Sequence, residues 1–202
     1  MELKLDSPME EYLKCTREID FDHPLLAELI ADFSKKKLNE LTLIKTVFEF
    51  VRDLIHHSFD AHDPRMTRTA SETYEKRVGI CYSKSLLLAA LLRGLGIPCG
   101  FSYQKVTLHE DPEQGMCIHA LNTVFIKNMN KWIRVDARGN KAGINAQFSL
   151  MQEQIAFKVR PELGEMDYPT NYALPHPLIL ATLSHYDDAM KMYNEGLPKD
   201  LD

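Results

Sequence analysis

The sequence lacks the features that send a protein into a membrane, out of the cell or onto nucleic acid. No apolar run approaches the ~20 residues that a membrane-spanning helix requires. Residues 1–6 have neither the basic start nor the apolar core of a signal peptide. Positive charge is not in surplus, since 24 Lys and Arg stand against 29 Asp and Glu. We therefore expect a cytoplasmic protein that binds neither membranes nor nucleic acid.

Paired cysteines are also missing. The chain has four cysteines, none with CxxC spacing: Cys15, Cys81, Cys99 and Cys117. In a chain with no export signal such cysteines are expected to be free thiols, so one of them is a candidate catalytic nucleophile. We identify no motif for a cofactor and predict none.

Length and composition are those of an ordinary globular protein. The 202 residues, 45% apolar and 26% charged, predict one domain over 1–202. Apolar residues that recur every three or four positions predict an amphipathic helix over 40–56. Prolines punctuate the segment 150–202, which predicts an extended wrap over the domain ending in a helix, 178–193.

Cys81 stands at the start of a long apolar stretch. Residues 81–92 contain a single charged residue, Lys84, which predicts a helix buried on nearly all sides. Cys81 would then lie where a loop enters this helix, and the N–H groups and dipole of a helix start stabilise negative charge. A thiol there is expected to ionise easily, and the thiolate is the nucleophilic form. The alternative is a buried structural cysteine.

The candidate partners of Cys81 lie on two strands joined by a turn. His119 stands near the start of a strand predicted over 118–127, and Asp136 ends the next strand, predicted from Trp132. A cysteine nucleophile needs a base that takes the thiol proton and a carboxylate that holds the imidazole tautomer. The order Cys, His, Asp on these elements indicates a catalytic triad. The alternative interpretation is structural: each residue taken singly is more simply explained, His119 as a core histidine and Asp136 as a cap at the end of a strand.

Strand geometry tests whether the histidine and the aspartate can meet. If the turn is centred between Asn128 and Met129, antiparallel pairing places Asp136 opposite Leu121. Side chains alternate along a strand, so Leu121 shares a face with His119. Asp136 is then a diagonal neighbour of His119, about 7–8 Å away between backbones and within side-chain reach. The triad therefore requires an even-length connection between the strands, or a bulge.

Metal binding is the alternative use of these side chains. His56, His57 and His62 lie close together, but in a polar stretch with neither HExxH nor a Cys/His pairing, so we interpret them as part of a solvated loop. A second conceivable metal site would consist of Cys81, Cys117, His119 and Asp136. The two-residue spacing of Cys117 and His119 is uncommon for zinc ligands, which disfavours this site. We predict no metal.

Five short motifs together resemble the core of the transglutaminase-like superfamily over roughly residues 40–140. They are Thr69-Ala70-Ser71-Glu72, Gly79-Ile80-Cys81, Leu95-Gly96-Ile97-Pro98, His119-Ala120 and Trp132-Ile133-Arg134-Val135-Asp136. The resemblance implies a papain-like α+β fold, with N-terminal helices and a buried central helix packed on an antiparallel sheet. It also implies Cys81 as nucleophile, His119 as general base and acid, and Asp136 as the orienting carboxylate.

Two details refine the resemblance. Leu121 stands where many members carry an aromatic residue after the His-Ala pair, which alters the substrate cleft and removes no member of the triad. The arylamine N-acetyltransferases also use Cys, His and Asp. Their paired glycines after Arg and their acidic residue after Cys are absent from the segment 77–83, which disfavours that family.

The resemblance implies thiol-based acyl transfer on a peptide or protein amide. Its members include transglutaminases, peptide:N-glycanases and bacterial cysteine proteases. The extra β-domains of animal transglutaminases are absent, so hydrolysis of peptide or glutamine-type amide bonds is our first expectation. Transfer of the acyl group to an amine is one alternative, and a non-catalytic binding module on the same fold is another.

Overall fold

The computed structural model describes residues 2–108 and 111–201. Two amphipathic helices begin the core, α1 (Pro24–Lys35) and α2 (Glu40–Leu54). The side chain of Asn39 caps α2 by accepting a hydrogen bond from the Thr42 N–H at 3.0 Å. The buried residues of α2 recur at helical spacing, so this helix presents one face to the core: Ile44, Val47, Phe48 and Val51.

A short parallel strand pair follows α2 where the sequence predicted the helix to continue. Strand β2 (His56–His57) pairs with β3 (Val78–Gly79), and His57 lies opposite Gly79. Helices α3 (Ser58–Ala61) and α4 (Ala70–Lys76) lie between them in the chain. This pairing brings the end of α2 beside the residues that lead into the next helix.

That next helix, α5 (Cys81–Gly94), is the centre of the fold. All residues from Tyr82 to Arg93 are buried, as the apolar stretch predicted. The polar residues among them find partners inside the protein. The Nζ of Lys84, for example, donates to the carbonyls of Arg52 and Ile55 at the end of α2. The helix is thereby bonded to the segment that precedes β2.

A four-stranded antiparallel sheet packs on α5. Its order is β6-β5-β4-β7. Its strands are β4 (Cys99–Thr107), β5 (Met116–Ile126), β6 (Lys131–Val135) and β7 (Met166–Asp167). In the pairing of β5 with β6, Asn122 lies opposite Val135 and Ile126 opposite Lys131. This is the register that the sequence predicted, and it confirms the even-length connection. The helices and this sheet also confirm the α+β fold.

The C-terminal part is not a single helix at 178–193, so that prediction is wrong. The chain forms β8 (Thr170–Asn171), paired with β1 (Lys4–Leu5), and then several short helices. They are α6 (Pro177–His185), α7 (Ala189–Lys191) and a π-helical turn (Met192–Gly196). None of the helices in the described ranges is long and apolar enough to cross a membrane.

The break between α6 and α7 has a tertiary cause. Tyr186 is extended, and the guanidinium of Arg68 donates to the carbonyls of Leu183 and Tyr186 at 3.1 and 2.7 Å. Asp188 then starts α7 by accepting from the N–H groups of Met190 and Lys191. A distant arginine therefore satisfies carbonyls that a longer helix would have bonded itself.

The backbone of Gly100 on β4 is too closely surrounded to accommodate a side chain, and this predicts an effect of substitution on stability. An added Cβ would lie 2.6 Å from Thr123 Oγ1 and 2.8 Å from a ring carbon of Tyr12, and closer still to Asn171 Oδ1. We expect Gly100→Ala to lower the free energy of unfolding by about 1–3 kcal/mol or more, since overpacking strains a close-packed core. Urea titration measures this. Ser102→Ala on the same strand is the control, because it removes a buried hydroxyl that lacks a partner among the described residues. An unchanged Gly100→Ala midpoint would contradict the prediction.

Candidate active site

The thiol of Cys81 stands at the first position of α5. Ile80 is the N-cap, and the first helical bond runs from the Lys84 N–H to the Ile80 carbonyl at 3.0 Å. The N–H of Cys81 precedes that bond, so it has no carbonyl partner within the helix. The helix start is anchored by the Ser83 hydroxyl, which donates to the Thr67 carbonyl at 2.7 Å. Cys81 is half-buried.

His119 and Asp136 form the contact that the strand register predicted. The His119 Nε2 lies 2.8 Å from Asp136 Oδ2, and both side chains are buried. Asp136 is held from two further directions. Its Oδ1 accepts from the Arg138 N–H at 3.0 Å and its Oδ2 from the Ala156 N–H at 2.9 Å. The Cys81 thiol lines the same cavity as the His119 ring and is close enough to act on the pKa of His119. Since Nε2 faces Asp136, Nδ1 is the nitrogen left for Cys81.

The charges of this group are coupled. Burial favours a neutral His119, but the charges of Asp136 and Cys81 and their hydrogen bonds outweigh it and raise the pKa of His119 to about 10. Burial likewise opposes ionisation of Asp136, yet the charge of His119 and the hydrogen bonds keep its pKa below the usual value. At neutral pH His119 is therefore an imidazolium that donates to a carboxylate, and its other N–H points to the sulfur.

Further contacts fix the spacing between the helix and the strand. The Tyr82 hydroxyl donates to the Ile118 carbonyl at 2.7 Å, joining the first turn of α5 to the residue before His119. The Asn122 amide donates to the Ser85 carbonyl at 3.0 Å. The ring of Phe157 meets His119 edge-on, with 4.9 Å between ring centres. The imidazole is thus held in place by packing as well as by hydrogen bonds.

Cys81 and His119 line a cavity of about 150 Å³, whereas Asp136 is fully buried behind His119. Apolar and aromatic side chains form much of its wall, among them Phe59, Ile118, Phe157, Tyr193 and Leu197. Tyr193 stacks on Phe59 with 4.2 Å between ring centres. A cavity of this size admits a side chain or a short extended segment.

One wall of the cavity comes from the C-terminal segment. The Ile118 N–H donates to the Pro198 carbonyl at 2.8 Å, directly beside His119. Asp200 holds this segment in place, because it pairs with Lys105 and accepts from the Tyr168 hydroxyl at 2.6 Å. Leu197 of this segment lines the cavity, so the segment forms part of the wall next to His119.

The other three cysteines are in different environments. Burial raises the pKa of both Cys99 and Cys117 to about 12. Cys117 lines the same cavity as Cys81, yet at neutral pH it is a thiol rather than a thiolate. Cys15 is exposed, and its pKa is also raised, mainly through partial desolvation. Within the described ranges, no three Cys, His, Asp or Glu side chains are arranged to hold a metal ion.

Sequence reasoning assigned His57 to the wrong environment. His57 is not part of a solvated loop, as predicted, because its side chain is buried and lines the cavity. His56 and His62 are exposed. The alternation of buried Ile55, exposed His56 and buried His57 is a strand signal too short to stand out beside α2. Only the pairing of β2 with β3 turns His57 inward.

The chain belongs to the transglutaminase-like superfamily. The family model of the Transglutaminase-like superfamily matches residues 27–137, which is more than half of the chain. The resemblance that the motifs carry is thereby confirmed. No match was found among curated proteins.

A solved structure has a similar fold. It is the crystal structure of a putative cysteine protease from Cytophaga hutchinsonii, 21% identical, with a TM-score of 0.53. The match covers 66% of this chain and 43% of that chain, so the protein described above spans less than half the length of that relative. At this identity the likeness concerns the fold.

The raised pKa of His119 predicts a pH-dependent contribution to stability. An unfolded histidine titrates near ~6.5, whereas His119 in the fold has a pKa of about 10. The contribution is therefore complete below about pH 6.5 and is lost as pH rises through about 10. We expect the difference in unfolding free energy between wild type and His119→Gln to shrink from pH 6.5 to pH 10 in urea titrations. His185→Gln, at an exposed site, is the control. A pH-independent difference for His119→Gln would contradict the coupling.

The position of the segment 197–200 predicts restricted access to Cys81. Asp200→Ala removes both the pair with Lys105 and the acceptor of the Tyr168 hydroxyl. We expect a bulky maleimide to modify Cys81 faster in this variant, with a smaller change for iodoacetamide. Mass spectrometry measures both rates. Asp187→Ala is the control, since Asp187 is fully exposed and pairs with Arg68 instead. Equal rates in Asp200→Ala and wild type would mean that the segment does not limit access.

Proposed function

We propose that this protein is a thiol-dependent acyl-transfer enzyme that hydrolyses peptide or glutamine-type amide bonds. Cys81 is the nucleophile, His119 the general base and acid, and Asp136 the orienting carboxylate. One observation carries the proposal: a half-buried thiol at a helix start shares a cavity with a histidine that is 2.8 Å from a buried carboxylate. Membership of the superfamily supports it.

The first half of the reaction acylates the enzyme. The imidazolium of His119 stabilises a thiolate at Cys81, which attacks the amide carbon. A C–S bond forms and the carbonyl electron pair moves to the oxygen, where the unbonded N–H of Cys81 is placed to stabilise it. His119 then protonates the leaving amine, the C–N bond breaks, and a thioester remains.

The second half releases the acyl group. The neutral His119 takes a proton from water, the oxygen attacks the thioester carbon, and the C–S bond breaks. The acid product leaves and the thiolate–imidazolium pair is restored. Asp136 keeps Nε2 protonated throughout, so that Nδ1 is always the nitrogen that exchanges protons with sulfur, amine and water.

The cavity suits a peptide or protein amide as substrate. Its volume and its aromatic wall favour a side chain or a short extended segment over a folded surface. A glutamine side chain and a backbone peptide both satisfy this. An amine can replace water as the acceptor, and the product then is a new amide, as in a transglutaminase. The acceptor distinguishes the two activities.

The experiment uses two probes, a blocked glutaminyl-glycine dipeptide and a defined mixture of unstructured peptides. Ammonia release reports hydrolysis of the glutamine amide, mass spectrometry reports peptide-bond cleavage, and hydroxamate formation with added hydroxylamine reports transfer to an amine. We expect hydrolysis of one probe by wild type. Cys15→Ala is the matched control and should retain full activity, because Cys15 is exposed and lies outside the cavity.

Variants of the three residues should act as a unit. We expect Cys81→Ala to lower kcat/KM by about 10⁵–10⁶ and the triple variant to lose little more, because members of a triad are strongly non-additive. Asp136→Asn should retain more activity than Cys81→Ser. Wild-type turnover in Cys81→Ala would rule out the proposed enzyme.

A further inference from the structure

One polar group on the cavity wall has no assigned role. The side chain of His57 is 4% exposed and lines the same cavity as Cys81 and His119. Its Nδ1 has no hydrogen-bond partner among the described residues. The nearest carboxylate oxygen, Asp60 Oδ2, is 4.0 Å away and too far for a hydrogen bond. A buried polar atom without a partner is rare and calls for an explanation.

The strand pairing places His57 beside the nucleophile. His57 lies opposite Gly79 in the pairing of β2 with β3, and neighbouring strands are about 4.8 Å apart. Gly79 precedes Cys81 by two residues. An added Cβ on Gly79 would lie 2.8 Å from Ser83 Cβ and 3.0 Å from Thr67 Oγ1. The backbone of β3 is therefore closely packed where the chain leads from β3 into α5.

The environments of His57 and His119 favour different protonation states. Burial is the main reason that the pKa of His57 lies well below its usual value, and the positive charges of Arg138, Lys84 and His119 add to it despite Asp60. His57 is therefore neutral where His119 is an imidazolium. Two titratable groups in one cavity with separated pKa values are typical of divided roles in catalysis. A neutral imidazole donates a hydrogen bond without giving up its proton.

Other polar groups of the cavity wall already have partners. Arg138 is bound by both carboxylate oxygens of Asp60, at 2.7 and 3.1 Å, and Lys141 binds the same carboxylate at 2.7 Å. The hydroxyl of Thr107 donates to Glu165 at 2.7 Å. These donors are committed to the fold, whereas His57 is available to a bound substrate.

We propose that His57 is a further catalytic residue, which donates the second hydrogen bond to the oxyanion formed on attack by Cys81. The N–H of Cys81 is the first donor. The hydrogen bond forms as the carbonyl electron pair moves to oxygen, and it is released when the pair returns and the leaving group departs. This inference rests on the proposed function, since it requires Cys81 to be an acylated nucleophile.

The test compares two reactions of the same sulfur. p-Nitrophenyl acetate acetylates Cys81 through an oxyanion and releases p-nitrophenolate. Iodoacetamide alkylates it by displacing iodide at a saturated carbon, with no oxyanion. We expect His57→Leu to slow acetylation by about 10²–10³-fold, the cost of removing one oxyanion donor. The alkylation rate should stay at the wild-type value, which also shows that the site is folded.

Further variants separate hydrogen bonding from packing. His57→Asn and His57→Gln place an amide N–H near the positions of Nδ1 and Nε2, so at least one should acetylate faster than His57→Leu. His56→Leu is the matched control: it is the same substitution at the exposed neighbour and should leave both reactions unchanged. Mass spectrometry locates the modified cysteine in each case.

The outcomes separate this inference from the proposed function. Selective loss of acetylation in His57→Leu, with recovery in an amide variant, supports the oxyanion contact. Wild-type acetylation in His57→Leu would overturn it, and so would equal losses of both reactions in all three His57 variants. A different result tests the proposed function itself: if Cys81 of the wild type reacts no faster than Cys15 with either reagent, Cys81 is not an activated nucleophile.

Discussion

A fully buried carboxylate is the constraint on which the candidate site depends. Asp136 has no solvent to stabilise its charge, so it needs partners inside the protein. It accepts from His119 on β5 and from the N–H groups of Arg138 and Ala156. These contacts join a central strand, the end of β6 and the C-terminal part of the chain. The carboxylate in turn keeps His119 charged, and the charged imidazole faces the sulfur of Cys81.

The buried helix α5 connects the two sides of the cavity. Cys81 begins it, and one turn later Lys84 reaches back to the carbonyls of Arg52 and Ile55. Burial is the main reason that the pKa of Lys84 falls to about 7. These carbonyls end α2 immediately before β2, the strand that carries His57. The helix that begins with Cys81 is therefore bonded to the segment that leads into the strand of His57.

Local sequence patterns predicted the parts of the site that follow from chain periodicity. The turn between β5 and β6 spans residues 127–130, an even number, so the alternation of side chains along both strands was enough to bring His119 and Asp136 together. His57 and the break after α6 were not predictable in this way. Both depend on distant partners, since β3 turns His57 inward and Arg68 satisfies carbonyls at the end of α6. The division into one domain over 1–202, with a core at 40–140, stays a prediction.

By itself the sequence determined the buried helix, the hairpin register and the order Cys, His, Asp, because each depends on hydrophobic periodicity or on turn length within one segment. Only the tertiary structure decided which groups besides His119 line the cavity with Cys81. A two-residue strand such as β2 has too few residues for a periodic signal, and its pairing with β3 is a long-range contact. The same holds for the segment around Pro198, whose carbonyl accepts a hydrogen bond from the Ile118 N–H beside His119. Backbone groups at a strand edge bond to whichever segment the fold brings near them, and no local pattern specifies that segment.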